Sequence, residues 1–179
     1  MTGRRSLYIL LAVVLSCLSI AGCGNKEVLG NPNAELKLSL GDTEGWKEER
    51  DTPHSLAIAS VELYQQMMDG RVTPEEGWEQ LRQMGCRESV EAMNAQKTEF
   101  IQSIEDTKEY FNSQQEAIEG YDFSECVEDS NYENRKVIYR IQNMKSGKKY
   151  YFRQDFVQED GKWRIYGDNV ENEFALEES

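Results

Sequence analysis

The stretch Arg135–Gly167, RKVIYRIQNMKSGKKYYFRQDFVQEDGKWRIYG, decides the fold. Apolar and polar residues alternate with a period of two over Arg135 to Met144, Lys148 to Gln158 and Lys162 to Gly167, the pattern of half-buried strands. Asp160-Gly161 is the pair that closes a two-residue hairpin, and Ser146-Gly147 is read as a second. Those turns set a register. The first pairs Gln158 with Trp163 and Phe156 with Ile165, and the second pairs Ile141 with Phe152 and Val137 with Phe156. Val137, Tyr139, Ile141, Tyr150, Phe152, Phe156, Trp163 and Ile165 then share one apolar face. Arg140, Gln142, Arg153, Asp155, Arg164 and Tyr166 share the opposite, polar one. The apolar face needs a cover, and the sequence upstream supplies helices.

Thr73-Pro74-Glu75-Glu76 is a helix start, with Thr as N-cap, Pro at the first helical position and Glu76 closing a capping box. Trp78, Leu81 and Met84 form the stripe of that short helix, and Gly85 ends it. Residues 54–69 form an earlier helix, with Leu56, Leu63, Tyr64, Met67 and Met68 on one side. Residues 88–118 hold no Gly or Pro, and Val90, Met93, Phe100, Ile101, Ile104, Phe111 and Ile118 recur at helical spacing, which predicts one long amphipathic helix. Residues 124–130 are a candidate edge strand. The expected fold is therefore α+β: N-terminal helices, two short and one long, packed on a three- to four-stranded antiparallel meander, over residues 53–169.

The flanks read differently. Arg4 and Arg5 precede an apolar run from Leu7 to Ala21, too short for the roughly 20 residues of a membrane span. Ile20-Ala21-Gly22-Cys23 closes it and resembles a bacterial lipobox. The resemblance implies a lipoprotein signal peptide over residues 1–22, cleavage between Gly22 and Cys23, and a diacylglyceryl group on the Cys23 thiol. It further implies a location at the cell envelope, anchored on the extracytoplasmic face of a bacterial membrane. Two acyl chains matter, because one gives only marginal membrane binding. Residues 23–52, with Gly24, Gly30, Pro32, Gly41 and Gly45, are expected to be a lipidated tether. Within it Glu35–Leu40 alternates, either as a short strand or as a sticky patch. Residues 170–179 are expected to form a fraying acidic tail.

The 157 residues left after cleavage (179 − 22) suffice for one domain but not for a two-lobed solute receptor, and they carry a charge of (20 − 2) − 33 = −15. That charge argues against nucleic acid as a partner. Of the four cysteines, Cys17 leaves with the signal and Cys23 is spent on lipid. Cys86 and Cys126 remain as a candidate disulfide in a compartment that permits one. A straight helix over 88–118, roughly 46 Å long at 1.5 Å per residue, would hold them apart, whereas a break near Asn94 or Asn112 would let them approach.

Helices followed by a meander ending in Gly161-Lys162-Trp163-Arg164-Ile165-Tyr166 resemble the cone-shaped nuclear-transport-factor-two-like fold of small bacterial lipoproteins. Members of that fold usually carry a strand between the second and third helices, where this sequence shows none. The resemblance implies no single activity. It directs attention to the polar members of the expected inner face, Tyr139, Asn143, Tyr150, Gln154 and Gln158, either as a small pocket (Tyr139, Tyr150 and Gln154 foremost) or as the rim of the core. No catalytic set is evident. His54 is the sole histidine, and no nucleophile elbow, phosphate loop, H-E-x-x-H or EF-hand spacing occurs. The acids at Glu125, Glu128 and Asp129 and at Glu171 and Glu173 read as solvated, so no metal or cofactor is expected.

Two functions follow. The first is a non-enzymatic, lipid-tethered binding or accessory module that meets an envelope protein. The alternative is a small-ligand binder or enzyme working from the mouth of the cone. The first predicts an aromatic core packed shut; the second predicts an open cavity holding Tyr139 and Tyr150 beside an acid.

Overall fold

The structure, a computed structural model, describes residues 36–47 and 49–178. Gly22, Cys23 and the rest of the expected signal lie outside the described residues. The elements are β1 (Lys37–Ser39), α1 (Thr43–Trp46), α2 (Pro53–Met68), α3 (Pro74–Met84), α4 (Arg87–Asn94), α5 (Lys97–Gln114), β2 (Ile118–Phe123), β3 (Val127–Glu128), β4 (Arg135–Met144), β5 (Lys149–Glu159), β6 (Lys162–Val170) and β7 (Ala175–Glu177). The fold is α+β. Helices cover one face of an antiparallel sheet ordered β2-β4-β5-β6, with β3 also paired to β4.

Capping chemistry starts the first two long helices, α3 behind Thr73 as the sequence reads and α2 behind Thr52, one residue before the expected start. Thr52 accepts from the Ser55 amide and Pro53 opens α2, while Thr73 and Glu76 close the reciprocal box at the head of α3. Gly70, at φ 72°, turns the chain out of α2. Gly77 lets α3 approach α2 closely: a Cβ there would overlap the buried Met67 side chain, which would have to move.

The expected single helix over 88–118 is corrected to two helices, broken at residues 95–96, followed by a strand. The break follows from two anchors pointing in different directions. At the start of α4 the Cys86 amide donates to the Ile165 carbonyl, and Ser89 Oγ lies 3.1 Å and 2.6 Å from the carbonyls of Ile165 and Tyr166, fixing α4 to β6. Phe100, meanwhile, packs α5 against Trp78 of α3, with ring centroids 4.9 Å apart. One straight rod cannot satisfy both. Gln115 at φ 53° then ends α5 without a glycine, and Ile118 starts β2 rather than closing a helix. Gly85 forms a single parallel bridge to Ile165, the one strand-like contact between α3 and α4 among the described residues.

The register is right at one turn and wrong at the other. Asp160 and Gly161, both at positive φ, make the expected two-residue turn, and Gln158 faces Trp163 and Phe156 faces Ile165. At the other hairpin the Met144 amide donates to the Lys148 carbonyl, the Gly147 amide donates to the Met144 carbonyl, and Gly147 sits at φ 80°. The loop therefore spans Lys145–Gly147, one residue longer than read from the sequence. Ile141 pairs with Tyr151 and Val137 with Asp155, not with Phe152 and Phe156. A one-residue slip exchanges the faces of a whole strand. Ile138 joins Phe123, Phe156 and Ile165 in the core with the helices, whereas Val137, Tyr139 and Ile141 turn to the far side of the sheet.

The far side is covered by segments expected to be loose. Residues 37–46 are not tether: β1 pairs in parallel with β7 in the register Lys37 to Ala175, and Trp46 is buried on the helix side, with Phe123 and His54. The chain after 170 is not a frayed tail: Phe174 is buried edge-on between Tyr139 and Tyr151, with centroids 5.4 Å and 5.2 Å away. Within the alternating stretch, Lys37–Ser39 is thus a strand whose partner lies toward the other end of the chain.

Candidate functional site

The sheet places four buried polar side chains on the helix-covered face. β4 presents Arg140 and Gln142 there, and β5 presents Gln154. β6 presents Asp168 only because of a bulge. Phe156 faces Ile165 but Asp155 faces Gly167, so Tyr166 is an extra residue. Simple alternation from Ile165 would send Asp168 to the outer face; the bulge turns it inward, opposite Gln154. The carbonyls of Ile165 and Tyr166 at this irregularity are those met by Ser89.

Arg140 and Asp168 form a two-pronged ion pair, Nη1 to Oδ2 at 3.1 Å and Nη2 to Oδ1 at 3.4 Å, with both side chains 2% exposed. The Arg140 guanidinium lies over the Phe152 ring at 4.5 Å and near Tyr121 at 5.9 Å. Gln154 Nε2 donates to Ser60 Oγ of α2 at 3.0 Å. Burial pushes the Asp168 carboxyl above its usual range, against the pull of Arg140, and pushes the Tyr121 hydroxyl up to about 12. Tyr64 of α2, also buried, is raised for the same reason. Among the described residues, Tyr121 Oη, Arg140 Nε, Gln142 Oε1 and Gln154 Oε1 are buried without a hydrogen-bond partner. Such groups cost about 1–3 kcal/mol each when nothing satisfies them. The chemistry on offer is recognition by donors and acceptors around a neutralised charge pair.

Of the residues singled out in the sequence, Gln154 is the one in this centre. Tyr139 is on the outer face under Phe174, so the expected pairing of Tyr139 with Tyr150 in one cavity is corrected by the register shift. Tyr150 pairs with Gln142 and is half-buried at the end of β5. Arg140 and Gln142, assigned to the polar outer face, are the residues the sequence reading missed. Gly167 inside a strand was the available signal of a bulge. Two surface hollows, of about 400 Å³ beside Lys148 and Lys149 and about 160 Å³ beside Asp69 and Lys108, share none of these groups.

The remaining candidates are dispersed. His54 Nδ1 lies 3.0 Å from Glu49 Oε2, and its ring stacks on Trp46 at 4.0 Å, away from the inner centre. Among the described residues no group of three or more His, Cys, Asp or Glu side chains could hold a metal ion, and no helix is long and apolar enough to cross a membrane. Cys86 and Cys126 are free thiols. The broken helix removes the obstacle named above, but the sheet replaces it. Cys126 leads into β3, Cys86 bonds to the far edge of β6, and β4 and β5 lie between. At ~4.8 Å per strand the two are on the order of 15 Å or more apart, against a limit of about 7 Å between bridged Cα atoms. Burial also pushes the Cys126 thiol up to about 11. Peptide mass mapping after iodoacetamide at pH 8 should therefore find Cys126 labelled roughly a hundredfold more slowly in native buffer than in denaturant. Rapid native labelling, or no labelling of either cysteine in denaturant without reductant, would contradict this placement.

No family model matches the chain. No curated protein matches it. Among solved structures, the crystal structure of the intermembrane space region of the chloroplast protein ARC6 is similar at 9% identity and a TM-score of 0.36, covering 66% of this chain and 96% of that one. A likeness at that level carries no argument about function.

Proposed function

We propose that this chain is a lipid-anchored extracytoplasmic protein of a bacterial cell envelope, acting as a non-enzymatic binding or accessory module. The observation that carries the reading is Ile20-Ala21-Gly22-Cys23 closing a short apolar run behind Arg4 and Arg5. The interior is consistent with such a role: its arginine is held by Asp168, its helices close over Phe156 and Ile165, and the sole histidine is engaged by Trp46 and Glu49. The test is the intact mass of the protein extracted from bacterial membranes. Loss of residues 1–22 together with a diacylglyceryl adduct on Cys23 is expected, and Cys23→Ala should move the protein out of the membrane fraction. An intact N-terminus would sink the reading.

A second reading, a binder of a small polar ligand, is favoured by Tyr121 Oη, Arg140 Nε, Gln142 Oε1 and Gln154 Oε1, which offer donors and acceptors beside a paired charge. Native mass spectrometry of the protein from its own envelope would reveal a retained neutral molecule lost on Gln142→Leu.

A further inference from the structure

Arg135 opens β4, and its guanidinium carbon lies 3.6 Å from the centre of the Tyr166 ring and 4.1 Å from that of Tyr132. Both rings are tied down. The Tyr166 hydroxyl donates to Glu88 Oε1 of α4 at 3.2 Å, and the Tyr132 carbonyl accepts from the Arg135 amide. Rings hold a guanidinium by its faces and leave open its edge, where the N–H donors point. The carboxylates at hand are committed elsewhere. Asp129 accepts from Arg153 and from the Asn131 amide, Asp155 accepts from Arg153, and Glu88 holds the Tyr166 hydroxyl. Among the described residues Arg135 therefore has no ion pair, in a chain whose 33 acids outnumber its 20 lysines and arginines. None of its side-chain nitrogens is among the fully buried, unpartnered atoms, so the edge is open to solvent.

We propose that the edge of the Arg135 guanidinium, held by Tyr132 and Tyr166, is a binding site for a carboxylate. The paired N–H groups of a guanidinium match the two oxygens of a carboxylate, and stacking on rings removes side-chain freedom that binding would otherwise cost. Tyrosine and arginine are also the side chains in which the energy of protein interfaces concentrates, and Tyr132, 55% exposed, adds a ring beside the fork. The site is separate from the buried Arg140–Asp168 pair, and no segment of the chain has to leave for it to be filled. It goes beyond the proposed function and does not depend on the lipid anchor. The carboxylate has two sources, a free small acid or an acidic side chain of a partner protein, and the probes below separate them.

The test is a nuclear magnetic resonance titration of the whole chain carrying isotope-labelled arginine, reading the Arg135 Nε–H signal, which is assigned by its loss in Arg135→Lys. Sodium acetate, acetyl-Gly-Glu-Gly-amide and sodium methanesulfonate each replace sodium chloride at constant ionic strength. A saturable shift with acetate and with the peptide is expected, tighter for the peptide where a partner protein is the source and equal where a free acid is. Arg135→Lys keeps the charge but not the fork, and should bind the same probe about tenfold more weakly, read from the backbone amide of Tyr166. Tyr132→Leu, at an exposed position outside the core, should also weaken binding, because one face of the guanidinium is freed. No saturable shift with either carboxylate would overturn the proposal. So would undiminished binding by Arg135→Lys. Methanesulfonate has the same charge but tetrahedral oxygens, and binding as tight as that of acetate would show that charge alone is read.

Discussion

Arg140→Met should lower the unfolding free energy by about 3–5 kcal/mol, and Arg140→Met with Asp168→Leu should restore most or all of it. Each charge of this pair is buried to 2% exposure, so removing one leaves the other without water or a counter-ion. Removing both replaces an ion pair by apolar side chains of similar volume, an exchange that is often neutral or stabilising by 1–4 kcal/mol. Phe152, packed against the guanidinium at 4.5 Å, would contact methionine as readily. Urea denaturation of the two single variants and the double variant measures the coupling. Additive losses would mean that the two residues do not act as a pair, and the bulge at Tyr166 would lose its explanation as the device that turns Asp168 inward. Full recovery would also indicate that the pair contributes specificity to the interior rather than net stability, leaving Tyr121, Gln142 and Gln154 as the groups available for recognition.

Trp46→Ala should cost about 3–5 kcal/mol, as expected for deletion of a buried tryptophan. The indole is 4% exposed, stacks on the His54 ring at 4.0 Å and meets Phe123 edge-on at 6.1 Å. Its fit is tight enough that a Cβ at Gly41 would lie 2.4 Å from it. Were residues 36–47 merely a leash, the substitution would leave the melting temperature unchanged. Thermal melts of the wild type and Trp46→Ala separate the two cases by well over the roughly 2–4 °C per kcal/mol expected of a domain this size. The same experiment bears on the C-terminal strand: loosening the α1 segment loosens β1, and β1 holds β7.

What was legible in the sequence was local. The capping box at Thr73, the two-residue turn at Asp160-Gly161 and the period-two strands each depend on residues within a few positions of one another, and each forms as read. Those signals suffice for the class, helices on an antiparallel sheet. The candidate site was legible only at Gln154.

The rest depended on partners far away or on a count of one. A three-residue loop at Lys145–Gly147 in place of a two-residue turn moves Arg140 and Gln142 from the outer to the inner face, because side chains alternate with period two. One extra residue at Tyr166 brings Asp168 to meet Arg140. No local pattern reveals that Cys86 and Ser89 would tie α4 to β6 and so divide a helix free of Gly and Pro. Nor does any reveal that Leu38 would find its strand partner at Leu176. The sequence by itself determined the class of the fold, the start of α3 and the charge and cysteine inventory. The tertiary structure decided which face of β4 is the interior, which charges meet there and where both ends of the domain close, because those depend on pairing across the chain rather than along it.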